Sequence, residues 1–119
     1  MKGKNLEDLL IYKKAVDISS KAWVVYNRLP ASVKNRTGIQ FVNSIDSIGA
    51  NIAEGFGRFH FRDSIRFYYI ARGSLYESKH WLLLLLHRQL IDEDAYLDLI
   101  DCLDKECIWI NSFIKGIKY

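Results

Sequence analysis

A chain of 119 residues, half of them apolar and only one of them proline, can bury a core without disulfide or metal staples and is too apolar to stay disordered. The net charge is +3, yet residues 1–90 hold 14 Lys/Arg against 7 Asp/Glu and residues 91–119 hold 3 against 7. The charged opening Met1-Lys2-Gly3-Lys4-Asn5 runs straight into Leu6-Glu7-Asp8 and lacks the apolar stretch of a secretory signal; the longest apolar run, residues 81–86, is far too short to cross a bilayer. The expectation is a cytoplasmic protein with no membrane partner and one domain over residues 1–119.

The first segment carries Leu9, Val16 and Trp23 at heptad spacing, with Tyr12, Ser19 and Tyr26 three places behind and Ala15, Ala22 and Leu29 flanking, which predicts a helix stripe. Pro30 ends it, because proline disfavours helical geometry in the residue before it and has no amide to donate. Ser32 is the expected cap of the next helix, where Phe41, Ile45, Ile48, Ile52 and Phe56 recur at alternating spacings of four and three, with Val42 and Gly49 alongside. Gly55-Phe56-Gly57 ends that helix, with a turn over 57–61.

A third helix is predicted over 62–89 and a fourth from 92 or 93 to about 115. Asp92 is placed to cap the fourth, with Glu93 and Asp94 in the first turn, where the positive end of the helix dipole favours them. Along it Tyr96, Leu103, Ile110 and Ile117 form one heptad row, completed by Ile100, Cys107 and Ile114. Short connections between amphipathic helices predict an all-α, up-down-up-down antiparallel four-helix bundle. Cys102 and Cys107, five apart on a helix, point about 140° away from each other and are expected to stay reduced.

Trp81-Leu82-Leu83-Leu84-Leu85-Leu86 is apolar around the whole helix, and Tyr68-Tyr69-Ile70-Ala71 repeats this earlier, so a second copy is expected to cover what one bundle leaves bare. The charge split fits either an anionic partner for the basic part or complementary contacts between copies; solvated helix faces produce such imbalances too.

Catalytic chemistry finds little support. Glu77-Ser78-Lys79-His80 contains one E-x-x-H step, but a di-metal bundle needs two such steps and two further glutamates, and His60 and His87 follow no matching spacing. Arg72 and His80 are too far apart for the paired Arg and His of some helical ribonucleases. No G-x-x-x-x-G-K-[ST] loop or G-x-S-x-G elbow is present. The expectation is a binding protein with no catalytic residue, metal or cofactor.

Basic residues interleaved with aromatics carry the functional expectation. Arg58, Arg62 and Arg66 step by four beside Phe59, Phe61 and Tyr69, and Lys13, Lys14 and Lys21 form a second patch on the first helix. Cations neutralise phosphates and aromatic rings stack on unpaired bases, so RNA or DNA bound with little sequence specificity is the expected partner. Solvated surface charge explains any single one of these residues as well, and a protein-interaction module that binds no nucleic acid is the alternative. Asn51, Glu54, Arg58, Arg72, Ser74 and Glu77 flank the helix junction, where Arg58 or Arg72 pairing with Glu54 or Glu77 gives a structural network; Gly55, Gly57 and Gly73 permit turns and close packing.

From residue 44 the chain reads Ser-Ile-Asp-Ser-Ile-Gly-Ala-Asn-Ile-Ala-Glu-Gly-Phe-Gly-Arg, and from residue 67 Phe-Tyr-Tyr-Ile-Ala-Arg-Gly-Ser-Leu-Tyr-Glu. This pair of motifs, with the opening Leu6-Glu7-Asp8-Leu9 and Lys13-Lys14-Ala15, resembles the 23S ribosomal RNA intervening-sequence protein family of bacterial four-helix bundles. The resemblance covers most of the chain. Most members of that family lack an assigned activity, and a related branch, the accessory variability protein of diversity-generating retroelements, assembles as a pentamer and binds nucleic acid and a reverse transcriptase. What the resemblance implies is a homo-oligomer, with a pentamer as its form, and RNA, DNA or a reverse transcriptase as partners. Phe59-His60-Phe61 departs from the family pattern, which has a smaller polar residue there.

Overall fold

The computed structural model describes residues 5–118 and consists of four long helices: α1 (Leu10–Asn27), α2 (Ile39–Phe56), α3 (Phe61–His87) and α4 (Glu93–Gly116). Residues 1–4, which include the charged opening, and Tyr119 lie outside the described residues. A short turn, Leu6–Asp8, precedes α1, and two tight helical turns, Ala31–Val33 and Lys34–Gly38, lead into α2 with a backbone kink at Arg36. Ser32 sits inside the first of these turns and caps nothing; Pro30 occupies the cap position instead.

Cross-helix contacts fix the topology. Ser74 meets Ser47 and Ser78 meets Ser44; Lys79 meets Asp104 and Tyr68 meets Phe113; Lys21 meets Asp98 and Lys14 meets Trp109. In each pair one index rises as the other falls, so sequential helices run antiparallel and α4 closes back on α1. Ile11, Ala15, Ile18 and Ala22 from α1, Phe41, Ile45, Ile48 and Ile52 from α2, Tyr68, Ala71, Leu75, Leu82 and Leu85 from α3, and Leu99, Leu103, Cys107 and Ile110 from α4 form one core.

The stripe expected on α1 splits: its Leu9, Ala15, Ala22 and Leu29 are buried, but the side with Val16 and Trp23 faces outward. Val16 and Trp23 are about half exposed, and the buried row is Ile11, Ala15, Ile18 and Ala22. Helix α1 carries two apolar stripes, and the one with alanines went inside because its Ala15 can lie against Gly49 of α2, where a Cβ on the glycine would meet Ala15 Cβ at 3.5 Å. The bulkier stripe of Tyr12, Val16 and Trp23 faces outward instead and, with Asp46, Gly49 and Ala53 of α2, lines a shallow groove of about 500 Å³.

The α2 face is buried as its spacing predicts from Phe41 to Ile52, while Phe56 at its end is only partly buried. Helix α3 starts one residue earlier and ends two earlier than expected. Gln89 takes left-handed backbone (φ 58°), with Gln89 N–H donating to Leu86 O and Leu90 N–H to Leu85 O, which satisfies the last carbonyls of the helix. At α4 Asp92 Oδ1 accepts from Ala95 N–H at 2.7 Å, as a helix cap should.

Two expectations about packing need correction. Of the run 81–86, Leu82 and Leu85 are core, Trp81, Leu84 and Leu86 are half-buried and only Leu83 is exposed, so one bundle covers most of it. The buried face of α4 contains Leu99 and Glu106, neither of which belongs to the expected rows, while Tyr96, Ile100 and Ile114 are only partly buried.

Candidate nucleic-acid interface

Antiparallel packing brings the N-terminus of α1, the C-terminus of α2, the N-terminus of α3 and the C-terminus of α4 to one end of the bundle. That end carries Lys13, Lys14, Arg58, Arg62, Arg66, Lys115 and Lys118. The two patches read separately from the sequence, one on α1 and one at the α2–α3 turn, therefore belong to a single end of the molecule. Lys115 and Lys118, absent from the sequence reading, join them because α4 runs back towards the start of α1.

The α2–α3 turn is shaped by its aromatics. Helix α2 stops at Gly57, and Arg58, just past it, donates from Nη2 to Glu54 Oε2 at 3.0 Å. The Arg58 guanidinium also lies over the Phe67 ring at 4.6 Å, and that of Arg66 lies over the same ring at 4.9 Å. Such contacts hold a guanidinium by the negative face of a ring. Phe59 is 91% exposed and meets His60 edge to face, with centroids 4.9 Å apart. An exposed ring beside arginines at a helix N-terminus has the chemistry to stack on a base and to meet phosphate with cations and the dipole.

The α1 patch divides. Lys13 is exposed. Lys14 stands over the Trp109 ring at 5.6 Å. Lys21 is further from this end and donates to both Asp98 oxygens at 3.0 and 3.1 Å, a hydrogen bond that raises its pKa. With Lys79–Asp104 at 2.7 Å and Lys105–Asp101 at 2.9 Å, these ion pairs give the basic-to-acidic split of the sequence a destination inside one chain: α4 carboxylates are met by lysines of α1, α3 and α4 itself.

The expected network around the junction is partly formed. Arg58 pairs with Glu54, but Glu77 accepts from Trp81 Nε1 at 3.0 Å and Arg72 lies over the Tyr76 ring, so no Arg72–Glu77 pair exists. Asn51 Nδ2 donates to Ser47 O and Oγ, and Ser74 Oγ lies 3.1 Å from Ser47 Oγ, joining these two motif residues into a serine seam between α2 and α3. Ser78 Oγ and Ser44 Oγ, 3.1 Å apart, extend it. Gly55 marks a close approach of the two helices: a Cβ there would lie 2.7 Å from Tyr68 Cε1 and 2.9 Å from Ser64 O. Gly73, in contrast, has nothing within 4 Å and supports no close packing.

Two buried groups stand out. Glu106 is wholly buried, neither carboxylate oxygen has a hydrogen-bond partner, and burial pushes its pKa up to about 8 against a small opposing pull from Lys14. Tyr68 is also wholly buried with its Oη unpartnered; burial pushes it up to about 12, and Ser64 tempers the shift without reaching hydrogen-bond geometry. Position 106 lies outside the expected rows; its spacing of three from Leu103 and four from Ile110 is the signal that marks it as inward, but a glutamate there reads as surface until the packing is known.

Both thiols are free, Cys102 near Lys21 Nζ at 3.6 Å and Cys107 near Tyr76 Oη at 3.7 Å. Among the described residues no three His, Cys, Asp or Glu side chains converge as a metal site, and no helix is long and apolar enough to cross a membrane.

The fold and its basic end define an all-helical protein built of four antiparallel helices around one core. Its particular relatives are bacterial: the sequence model for the 23S rRNA-intervening sequence protein matches residues 7–112, and the chain belongs to that family. It is similar in structure to a protein of unknown function from the S23 ribosomal protein family of Bacteroides thetaiotaomicron, with a TM-score of 0.85 and 25% identity over 90% of this chain and 96% of that one. No curated protein matches the chain.

Proposed function

We propose that the protein is a non-enzymatic nucleic-acid-binding module that grips single-stranded RNA or DNA by its phosphates at the basic end of the bundle. The observation that carries this reading is the α2–α3 turn, where Arg58 and Arg66 flank Phe67 and Phe59 stands 91% exposed. Lys13 and Lys118 widen the cationic surface at the same end. Contacts of this kind read charge and ring stacking, so little sequence preference is expected. A role beside a reverse transcriptase is carried from the family resemblance alone, and a location in the cytoplasm from the sequence expectation.

Self-assembly belongs to the same reading. The groove of Tyr12, Val16 and Trp23 lies on the α1–α2 side, while exposed Tyr69, Tyr76 and Leu83 form a heptad row on α3. Two different exposed apolar faces suit a head-to-tail contact, which closes into a ring when its rotation allows, and the pentamer implied by the resemblance is one such ring. A ring repeats the basic end around its axis and multiplies weak phosphate contacts. The same apolar groove favours the alternative, a protein-interaction module indifferent to nucleic acid.

Light scattering of the protein alone and with single-stranded RNA or DNA, at low and then high salt, tests both parts. The expected result is a multimer that gains mass with nucleic acid at low salt and loses it at high salt. A multimer indifferent to nucleic acid supports the alternative, and a monomer removes the assembly.

A further inference from the structure

The opposite end of the bundle gathers the close of α1, the turns that lead into α2, the close of α3 and the start of α4. Arg28, Lys34, Arg36 and Arg88 stand there, the three arginines exposed and Lys34 half-buried. Two contacts draw them together across the fold. Lys34 Nζ lies 5.6 Å over the Tyr26 ring, which is itself stacked on Trp23 with centroids 5.3 Å apart, so the lead-in to α2 sits on the close of α1. Arg88 Nη1 donates to Thr37 Oγ1 at 2.8 Å, which brings the close of α3 to the same lead-in. Arg36 falls in the chain between these two anchors, exposed at the backbone kink.

These cations differ from the lysines along the side of the bundle. Lys21, Lys79 and Lys105 each meet an aspartate at 3.0 Å or less, whereas among the described residues none of Arg28, Lys34, Arg36 and Arg88 meets a carboxylate. The carboxylates of this end, Asp92, Glu93 and Asp94, belong to the start of α4, where Asp92 caps the helix through Ala95 N–H. Like charges gathered without partners repel one another, and an anion laid across them relieves that repulsion. A phosphodiester backbone supplies such anions in a row, and Arg and Lys donors suit it. We infer that this end is a second phosphate-binding surface, so that one bundle holds a segment of nucleic-acid strand at each end. The inference rests on the nucleic-acid reading above and adds a site to it. The bundle is 46 Å long against 23 and 20 Å across, so strands at its two ends do not compete for space.

The test is a titration at low salt with a fluorescent oligo-thymidine too short to span 46 Å, followed to saturation as strands bound per chain. Wild type is expected to take two. Arg36→Gln with Arg88→Gln is expected to take one, as is Arg58→Gln with Arg66→Gln, and all four changes together none. Lys34→Gln with Arg36→Gln repeats the far-end loss without touching the Arg88–Thr37 bond, so damage to the fold at that bond is told apart from loss of charge. One strand per chain in wild type, kept in both far-end variants and lost in Arg58→Gln with Arg66→Gln, overturns the second surface and leaves the proposed function standing; no binding at all overturns both. Two strands per chain that persist in both far-end variants also overturn it, placing the second strand elsewhere on the bundle.

Discussion

Between α2 and α3, Gly55 lets two backbones approach and Ser44, Ser47, Ser74 and Ser78 bond one another across the gap. Between α1 and α4, Lys21 reaches Asp98 at the surface, while Glu106 of α4 lies buried with both oxygens bare. The first seam solves the problem of buried polarity by using groups that need only one or two partners and meet them in kind. The second buries a group whose charged form needs partners it does not have, so it is held neutral. Polarity inside a bundle is tolerated when the hydroxyls pair, and where it is unpaired it ties stability to pH.

The largest effect expected from this contrast is at Glu106. Its folded pKa of about 8 stands above the ordinary 4.5, so between those values the native state holds a proton that the unfolded state releases. Stability should therefore be greatest below about pH 4.5 as far as this group is concerned and fall as pH rises to about 8, by on the order of a few kcal/mol. Urea midpoints measured across that range should slope downward for wild type and much less for Glu106→Leu, which should be the more stable protein at pH 8. Parallel slopes would mean that the carboxyl reaches water.

Gly55→Ala probes the other seam. The added methyl meets a tyrosine ring and a backbone carbonyl at under 3 Å, and the carbonyl cannot swing aside, so a loss of about 2 kcal/mol or more is expected in thermal or urea unfolding. An unchanged midpoint would show that α2 and α3 can part without cost. Ser78→Ala should cost less, roughly 0.5–1.5 kcal/mol, because Ser44 Oγ keeps its 2.8 Å bond to Phe41 O when Ser78 is lost.

Lys21→Ala should have the smallest effect. The Lys21–Asp98 pair lies between exposed side chains, so its loss should change stability by less than about 1 kcal/mol, and the difference should shrink further in high salt. A larger, salt-insensitive loss would mean that the α1–α4 seam depends on its surface charges and not on the apolar rows beneath them.

Much of this protein was legible from residue order. The four helices, the buried row Phe41, Ile45, Ile48 and Ile52, the Asp92 cap and the family motifs each depend on spacing along one segment, which periodicity and local hydrogen bonding fix without help from elsewhere. The sequence placed Arg58 and Arg66 beside aromatics but pointed to Phe59, Phe61 and Tyr69, whereas both guanidiniums lie over Phe67.

What the tertiary structure decided are choices between alternatives that a single helix cannot make. Helix α1 has two apolar stripes, and only packing against Gly49 selects the one with Ala15 and leaves Trp23 outside. Glu106 is a surface residue by type and a core residue by position, and only the neighbours on α1 and α3 settle which counts. Lys13, Arg66 and Lys118 are far apart in the chain and meet at one end because antiparallel helices return there. Local rules set each helix, and the shared core sets which face it buries and what its ends bring together.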